Sequence, residues 1–213
     1  MESRGPSRPA PPTTPGAEAE ARKIADTAVA DPSAVDAALA SAAVPLAAEN
    51  GDQAFYDEIN AHMQKAAAPE QKYLYMQALF SFGDPKLLDR TLHFALSSAR
   101  SQDASFIIAR VIENPAGQKL GWDFIRQQWN SMKGANGAFG GGSEGAIVAS
   151  TSTFCDPELR DQVQSFFSTH PVPAATRTLK QSLEEIGYCI DMKSRQGIEL
   201  SNWLKGDGGT AAK

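Results

Sequence analysis

The densest group of residues that chemistry could use lies between Gly134 and Gly145. Gly140-Gly141-Gly142-Ser143-Glu144-Gly145 satisfies G-x-G-x-x-G, and Gly141 to Gly145 satisfies G-x-S-x-G. The first pattern cradles a pyrophosphate only where a buried strand leads into it and a helix leads out. Here a helical stretch from Trp122 to Met132 precedes it, and Glu144 would repel an anion. The second pattern requires Ser143 on a strand-to-helix elbow, with an acid and a histidine further along. Only His170 follows, beside Pro171. The segment therefore reads as an interhelical loop in which Ser143 caps the next helix. A hydrolase built on Ser143 would be labelled by an active-serine phosphonate. His62, His93 and His170 stand far apart, with no second histidine or cysteine at ligand spacing and Ala66 where H-E-x-x-H would need its second histidine. Cys155 and Cys189 form no Cys-x-x-Cys pair and fall in apolar helical patterns, so they read as small buried apolar residues. This reading leaves the chain with no catalytic residue and no metal ligand.

Composition narrows the partners. A formal net charge of −5 argues against nucleic acid. No apolar run approaches the ~20 residues that span a bilayer, and the N-terminus lacks a basic region followed by an apolar one. The chain is expected to be soluble, with no membrane partner and no signal peptide. A chain of 213 residues buries enough surface to fold without staples.

The elements that would position any site are helices. Residues 1–16, with five prolines among Ser, Thr, Gly and Arg, are expected to be a disordered tail, as are residues 206–213. From Ala17 the chain is rich in Ala, Leu, Glu, Gln and Lys, and its apolar residues recur at helical spacing. The clearest stripes are Phe55/Ile59/Met63, Tyr73/Met76/Phe80, Leu88/Leu92/Ala95/Leu96, Trp122/Ile125/Trp129/Met132, Leu159/Val163/Phe166/Phe167 and Leu179/Leu183/Ile186/Ile190. Trp122 and Trp129 share a face with Ile125 and Met132 and are expected in the core. Asp31-Pro32, Asp84-Pro85, Asn114-Pro115 and Asp156-Pro157 read as helix starts, the side chain capping free N–H groups and the proline at the first helical position. About ten helices of 10 to 20 residues are expected over residues 17–205. Ile147 to Phe154 reads as helix plus turn, because a lone strand has no partner. One apolar face per helix and short turns imply antiparallel pairs stacked into a curved array.

An ordered series of residues carries a resemblance. Arg100-Ser101-Gln102-Asp103, Asn114-Pro115-Ala116-Gly117 and Trp122-Asp123-Phe124-Ile125 with Trp129 come first. After the glycine-rich loop follow Ser150 to Phe154, Phe166-Phe167-Ser168-Thr169-His170-Pro171 and Thr176-Arg177-Thr178-Leu179 leading into Leu183-Glu184. Upstream, Tyr56-Asp57, Lys72-Tyr73 and Phe82-Gly83-Asp84-Pro85 fit the same order. Over residues 20 to 204 the chain resembles the C-terminal helical domain of aminopeptidase N and the endoplasmic-reticulum aminopeptidases.

The resemblance implies an all-α fold, a HEAT-like right-handed superhelical array of antiparallel helix pairs, shaped as an α-solenoid bowl over the active site of a separate catalytic domain. It implies a peptide substrate and, in cis or in trans, an aminopeptidase catalytic domain as partners. The family's zinc, its H-E-x-x-H helix and its G-x-M-E-N segment belong to that catalytic domain, and neither motif occurs here. A metallopeptidase needs the metal to activate water and a positioned general base, so the chain alone is expected to hydrolyse nothing. Arg100, Gln102, Asp103 and Arg177 match family positions and are the substrate-facing candidates, with helix-tying or capping as the competing role of each. The alternative reading of the whole is a free-standing helical-repeat adaptor that binds a protein or peptide on a concave surface.

Overall fold

A computed structural model describes residues 15–133 and 143–206. Ten α-helices make up these residues: α1 (Pro15–Ala30), α2 (Ala37–Glu49), α3 (Gln53–Lys65), α4 (Pro69–Leu79), α5 (Pro85–Ser97), α6 (Ser101–Glu113), α7 (Gln118–Met132), α8 (Glu144–Ser150), α9 (Pro157–Thr169) and α10 (Thr176–Gly206). Short 3₁₀ turns, Thr151–Thr153 and Pro173–Ala175, precede α9 and α10. No strand occurs among the described residues, and the fold is all-α. Ile147 to Phe154 is helix plus turn, as its sequence implies. Of the expected tails, 1–16 and 206–213, all but Pro15, Gly16 and Gly206 lie outside the described set, as does most of the glycine-rich loop; Pro15 and Gly16 instead open α1 and Gly206 ends α10.

Local chemistry accounts for four of the helix starts. The Asp84 carboxylate accepts the Lys86 N–H, and that of Asp156 accepts the N–H groups of Glu158 and Leu159, each with proline in the first turn. Asp36 and Asp52 cap α2 and α3 in the same way, by accepting from Ala38, Leu39 and Phe55. Two expected starts differ. Asp31 closes a turn after α1 by accepting the N–H and hydroxyl of Ser33, and α2 begins six residues later behind its own aspartate. Asn114 ends α6, its amide N–H groups donating to the carbonyls of Phe80 and Phe82 while its oxygen accepts from Ala116. It ties the α6–α7 turn to the α4–α5 turn, and α7 starts behind Gly117 instead. Two helices also leave the expected length range. α8 has 7 residues, because the chain tightens into a 3₁₀ turn in which Ser150 and Thr151 hydroxyls take backbone carbonyls. α10 has 31 residues, with no proline from Thr176 to Gly206 to stop it.

The chain divides into two compact units, one holding α1 to α7 and the other α8 to α10. In the first, α1 packs on α2, α3 on α4, α5 on α6 and α6 on α7, with α2 also on α4 and α5 on α7. Its core holds Phe55, Ile59, Met63, Phe82, Leu88 and Leu92, and Trp122, Ile125, Trp129 and Met132 are buried together as their spacing implies. Gly117 and Gly121 allow the close approach of α7 to α6. A Cβ on Gly117 would stand 2.4 Å from the Val111 carbonyl oxygen, and one on Gly121 would stand 2.7 Å from Ile112 Cγ1.

In the second unit α10 packs against α8, α9 and both 3₁₀ turns, around Ile147, Val148, Phe154, Val163, Phe167 and Ile186. Here the cysteines depart from their expected role. Cys155, just ahead of α9, and Cys189, within α10, form a disulfide across 34 residues of sequence. Neither is fully buried. Their pairing depends on the docking of α9 against α10, which no local spacing announces.

Candidate functional site

Of the four candidate positions, the fold joins two and adds a third residue. Arg100 takes the N-cap position of α6 in extended geometry, and Asp103 lies in the first turn, where the positive end of the helix favours a carboxylate. The Arg100 Nε donates to Asp103 Oδ2 at 2.7 Å, and its Nη2 donates to the Tyr73 hydroxyl at 2.6 Å. That hydroxyl in turn donates to Asp103 Oδ1 at 3.3 Å. Tyr73 comes from α4, so the trio ties α4 to the start of α6.

The Arg100 side chain remains 58% exposed while that of Asp103 is 13% exposed, which directs the guanidinium outward over a shielded carboxylate. The hydrogen bond and charge of Asp103 push the Arg100 pKa above its ordinary value, so the group is charged at every working pH. A guanidinium carries five N–H donors, and the bonds described engage two of them. The cluster is suited to donating hydrogen bonds to a carbonyl or carboxylate. Because Asp103 cancels the charge, its electrostatic pull on a free anion is small. Both carboxylate oxygens of Asp103 accept hydrogen bonds within the cluster.

The side chain of Gln102, in the first turn of α6, lies outside the described set. Arg177 belongs to the second unit, where it is exposed in the first turn of α10. Ser143 takes the position before α8 in helical geometry and makes no side-chain bond to the helix's first N–H groups, contrary to the expected cap. Tyr73 was legible in the sequence only as one member of an apolar stripe. Its hydroxyl joins the polar cluster because the side chain is only partly covered.

The resemblance associates zinc with the catalytic domain of the parent enzymes. Among the described residues no group of three or more His, Cys, Asp or Glu is placed to hold a metal ion. Each histidine has a local use instead. The His62 ring packs on Tyr75, His93 Nδ1 meets the Asp89 carbonyl at 2.9 Å, and His170 stacks on Phe166 with Nδ1 3.0 Å from that residue's carbonyl. A shallow groove beside α1 and α2, lined by Lys23, Ile24, Thr27, Val35 and Leu39 among others, carries no nucleophile poised by a base. Among the described residues no helix is long and apolar enough to cross a membrane.

Comparison with known proteins agrees with the architecture. The family model described as ERAP1-like C-terminal domain matches residues 13–187. Aminopeptidase M1 of Arabidopsis thaliana is 28% identical over 145 residues, which is 68% of this chain and 16% of the relative. Aminopeptidase N of Bos taurus is 28% identical over 179 residues, 80% of this chain and 18% of its own. Aminopeptidase Ey of Gallus gallus is 29% identical over 177 residues, 79% of this chain and 18% of its own. The chain thus spans less than a fifth of the length of each of these relatives. Since the family match takes in both helical units, from α1 into α10, the chain belongs to the ERAP1-like C-terminal domains of the aminopeptidase N family.

Proposed function

We propose that this chain is the non-catalytic C-terminal domain of a zinc aminopeptidase, enclosing the active site of a catalytic domain and contributing contacts to the peptide substrate. The carrying observation is the family match over residues 13–187 to a domain whose aminopeptidase relatives are matched over less than a fifth of their length. Residues 17–205 form the domain in this reading, flanked by short tails. Its helices build a HEAT-like array, which the packing of sequence neighbours such as α1 on α2, α3 on α4 and α5 on α6 supports.

In this role the domain binds and shields, and the zinc supplied by the catalytic domain activates water. Arg100 and Arg177 donate hydrogen bonds to peptide carbonyls, and Asp103 with Tyr73 holds the Arg100 guanidinium in one orientation. A guanidinium fixed by two hydrogen bonds loses less side-chain entropy on meeting a ligand than a free one. The purified chain, assayed on aminoacyl anilides with added zinc, is expected to give no turnover. Turnover that persists through stringent purification and responds to chelators would refute the proposal.

A further inference from the structure

The bonds that hold the first unit together are spread unevenly between its two ends. α1 to α4 pack among themselves, and so do α5 to α7, with α4 meeting α5 across the turn that joins them. Where α4 and α6 finish, the two groups are tied by shielded contacts. The Asn114 amide donates to the carbonyls of Phe80 and Phe82, both at 3.0 Å. The Thr91 hydroxyl is buried, 3.0 Å from the Leu79 carbonyl oxygen and 3.0 Å from the Tyr56 hydroxyl. The rings of Phe80 and Phe106 meet edge to face at 5.8 Å. Gly83, in the turn between the groups, donates its N–H to the Glu49 carbonyl at 3.1 Å, so closely that a Cβ would stand 2.6 Å from that oxygen. Where α4 and α6 begin, the groups are joined differently. The Tyr73 hydroxyl reaches across from α4, accepting from Arg100 Nη2 at 2.6 Å and donating to Asp103 Oδ1 at 3.3 Å. These bonds lie in solvent, with Tyr73 38% exposed and Leu96, in the last turn of α5 at the same end, 36% exposed.

Breaking a shielded hydrogen bond strands a desolvated polar group, whereas water replaces the partner of an exposed one at little cost. The two ends therefore differ in how readily they part. We propose that the first unit is hinged: α5 to α7 tilt as a group against α1 to α4 about the shielded ties, and the Tyr73 hydroxyl is the latch that holds the far end closed. The Arg100–Asp103 ion pair lies within the start of α6 and moves with it, so it presents the latch with a fixed donor and a fixed acceptor. Tyr73 lies seven residues before Phe80, about 10 Å along the helix axis. With that lever arm a tilt of about 10° parts the latch by about 2 Å, which breaks both of its bonds while those at the hinge only bend. The closed state engages the guanidinium through Tyr73 and the open state releases it. A ligand that accepts hydrogen bonds from Arg100 in one state more than in the other shifts the balance between them.

Pulsed electron spin resonance on the full chain tests this with two pairs of spin labels. Cys155 and Cys189 are bonded to each other, so only introduced cysteines take the label. Glu70→Cys with Ser98→Cys reports on the latch end, and Gln53→Cys with Ala116→Cys on the hinge end, all four at exposed positions. The latch pair is expected to show the broader distance distribution. Tyr73→Phe, which keeps the ring and removes both bonds, is expected to lengthen the latch-pair distance by about 2 Å or add a longer population of that size, and to leave the hinge pair unchanged. Arg100→Ala is expected to act in the same direction. Far-UV circular dichroism checks that each variant keeps its helices. A latch pair as narrow as the hinge pair overturns the proposal. So does a Tyr73→Phe chain whose latch-pair distances match those of the wild type.

Discussion

The disulfide gives the most quantitative handle on the second unit. Cys155 and Cys189 join the approach to α9 with the middle of α10 across 34 residues. Closing a loop of that size in the unfolded chain removes conformational entropy worth about 4 kcal/mol at room temperature. Replacing both cysteines by alanine leaves the buried contacts of Phe154, Val163, Phe167 and Ile186 in place, so the loss falls on the unfolded side. With a typical urea dependence of about 2 kcal/mol per molar, the second unit should unfold about 2 M earlier. Hydrogen exchange read by mass spectrometry during a urea titration localises the effect. Peptides from residues 143–206 should lose protection earlier in C155A/C189A, while those covering α1 to α7 keep their own midpoint. A midpoint change equivalent to less than about 1 kcal/mol would refute the reasoning, as would two freely titrating thiols in the native wild-type chain.

Trp122 is fully buried, and Trp122→Ala should cost about 3–5 kcal/mol in denaturant unfolding. Trp203→Ala, at an exposed position, should change the stability of the monomer by less than about 0.5 kcal/mol. Gly117→Ala forces a Cβ to 2.4 Å from a backbone oxygen and should destabilise by at least about 1–3 kcal/mol. Gly145→Ala, with nothing within 4 Å, should be neutral or stabilise α8 by up to about 1 kcal/mol; thermal melts compare the two. Burial pushes the Tyr56 phenol above its ordinary 10.0, so the unfolded chain releases that proton first. The stability tied to the neutral phenol is therefore complete below about pH 10 and lost as pH rises beyond it. Thr91 gives its one proton to the Leu79 or Leu87 carbonyl, so Tyr56 donates to Thr91 at 3.0 Å. Tyr56→Phe should cost about 1 kcal/mol at neutral pH and flatten the alkaline loss, as urea midpoints measured from pH 7 to pH 11 would show.

The helical content was legible because apolar spacing and helix caps are local signals. Asp84-Pro85 and Asp156-Pro157 announce their helices, and the stripe from Trp122 to Met132 is buried as it reads. What escaped depends on partners distant in sequence. Asp31-Pro32 has the same local signature as Asp84-Pro85, yet α2 waits for Asp36. Pro45, of a residue type that ordinarily breaks helices, sits inside α2 among the buried Ala43, Val44 and Ala47. Asn114 looked like a cap, and its amide instead spans to the turn after α4. The bond between Cys155 and Cys189 likewise exists only once α9 and α10 pack. At the candidate site, Arg100 and Asp103 were legible as a pair three residues apart, while Tyr73, twenty-seven residues before Arg100, became a partner only through the fold.

Peptide binding is the most direct test of the proposed role. Unstructured peptides titrated into the isotopically labelled chain and followed by nuclear magnetic resonance should bind weakly but saturably, shifting resonances of Arg100, Tyr73 and Arg177. Arg100→Ala should weaken that binding severalfold. If no peptide shows saturable binding at millimolar concentration, or if Arg100→Ala and Arg177→Ala both bind as the wild-type chain does, the assignment of a substrate-contacting role is wrong.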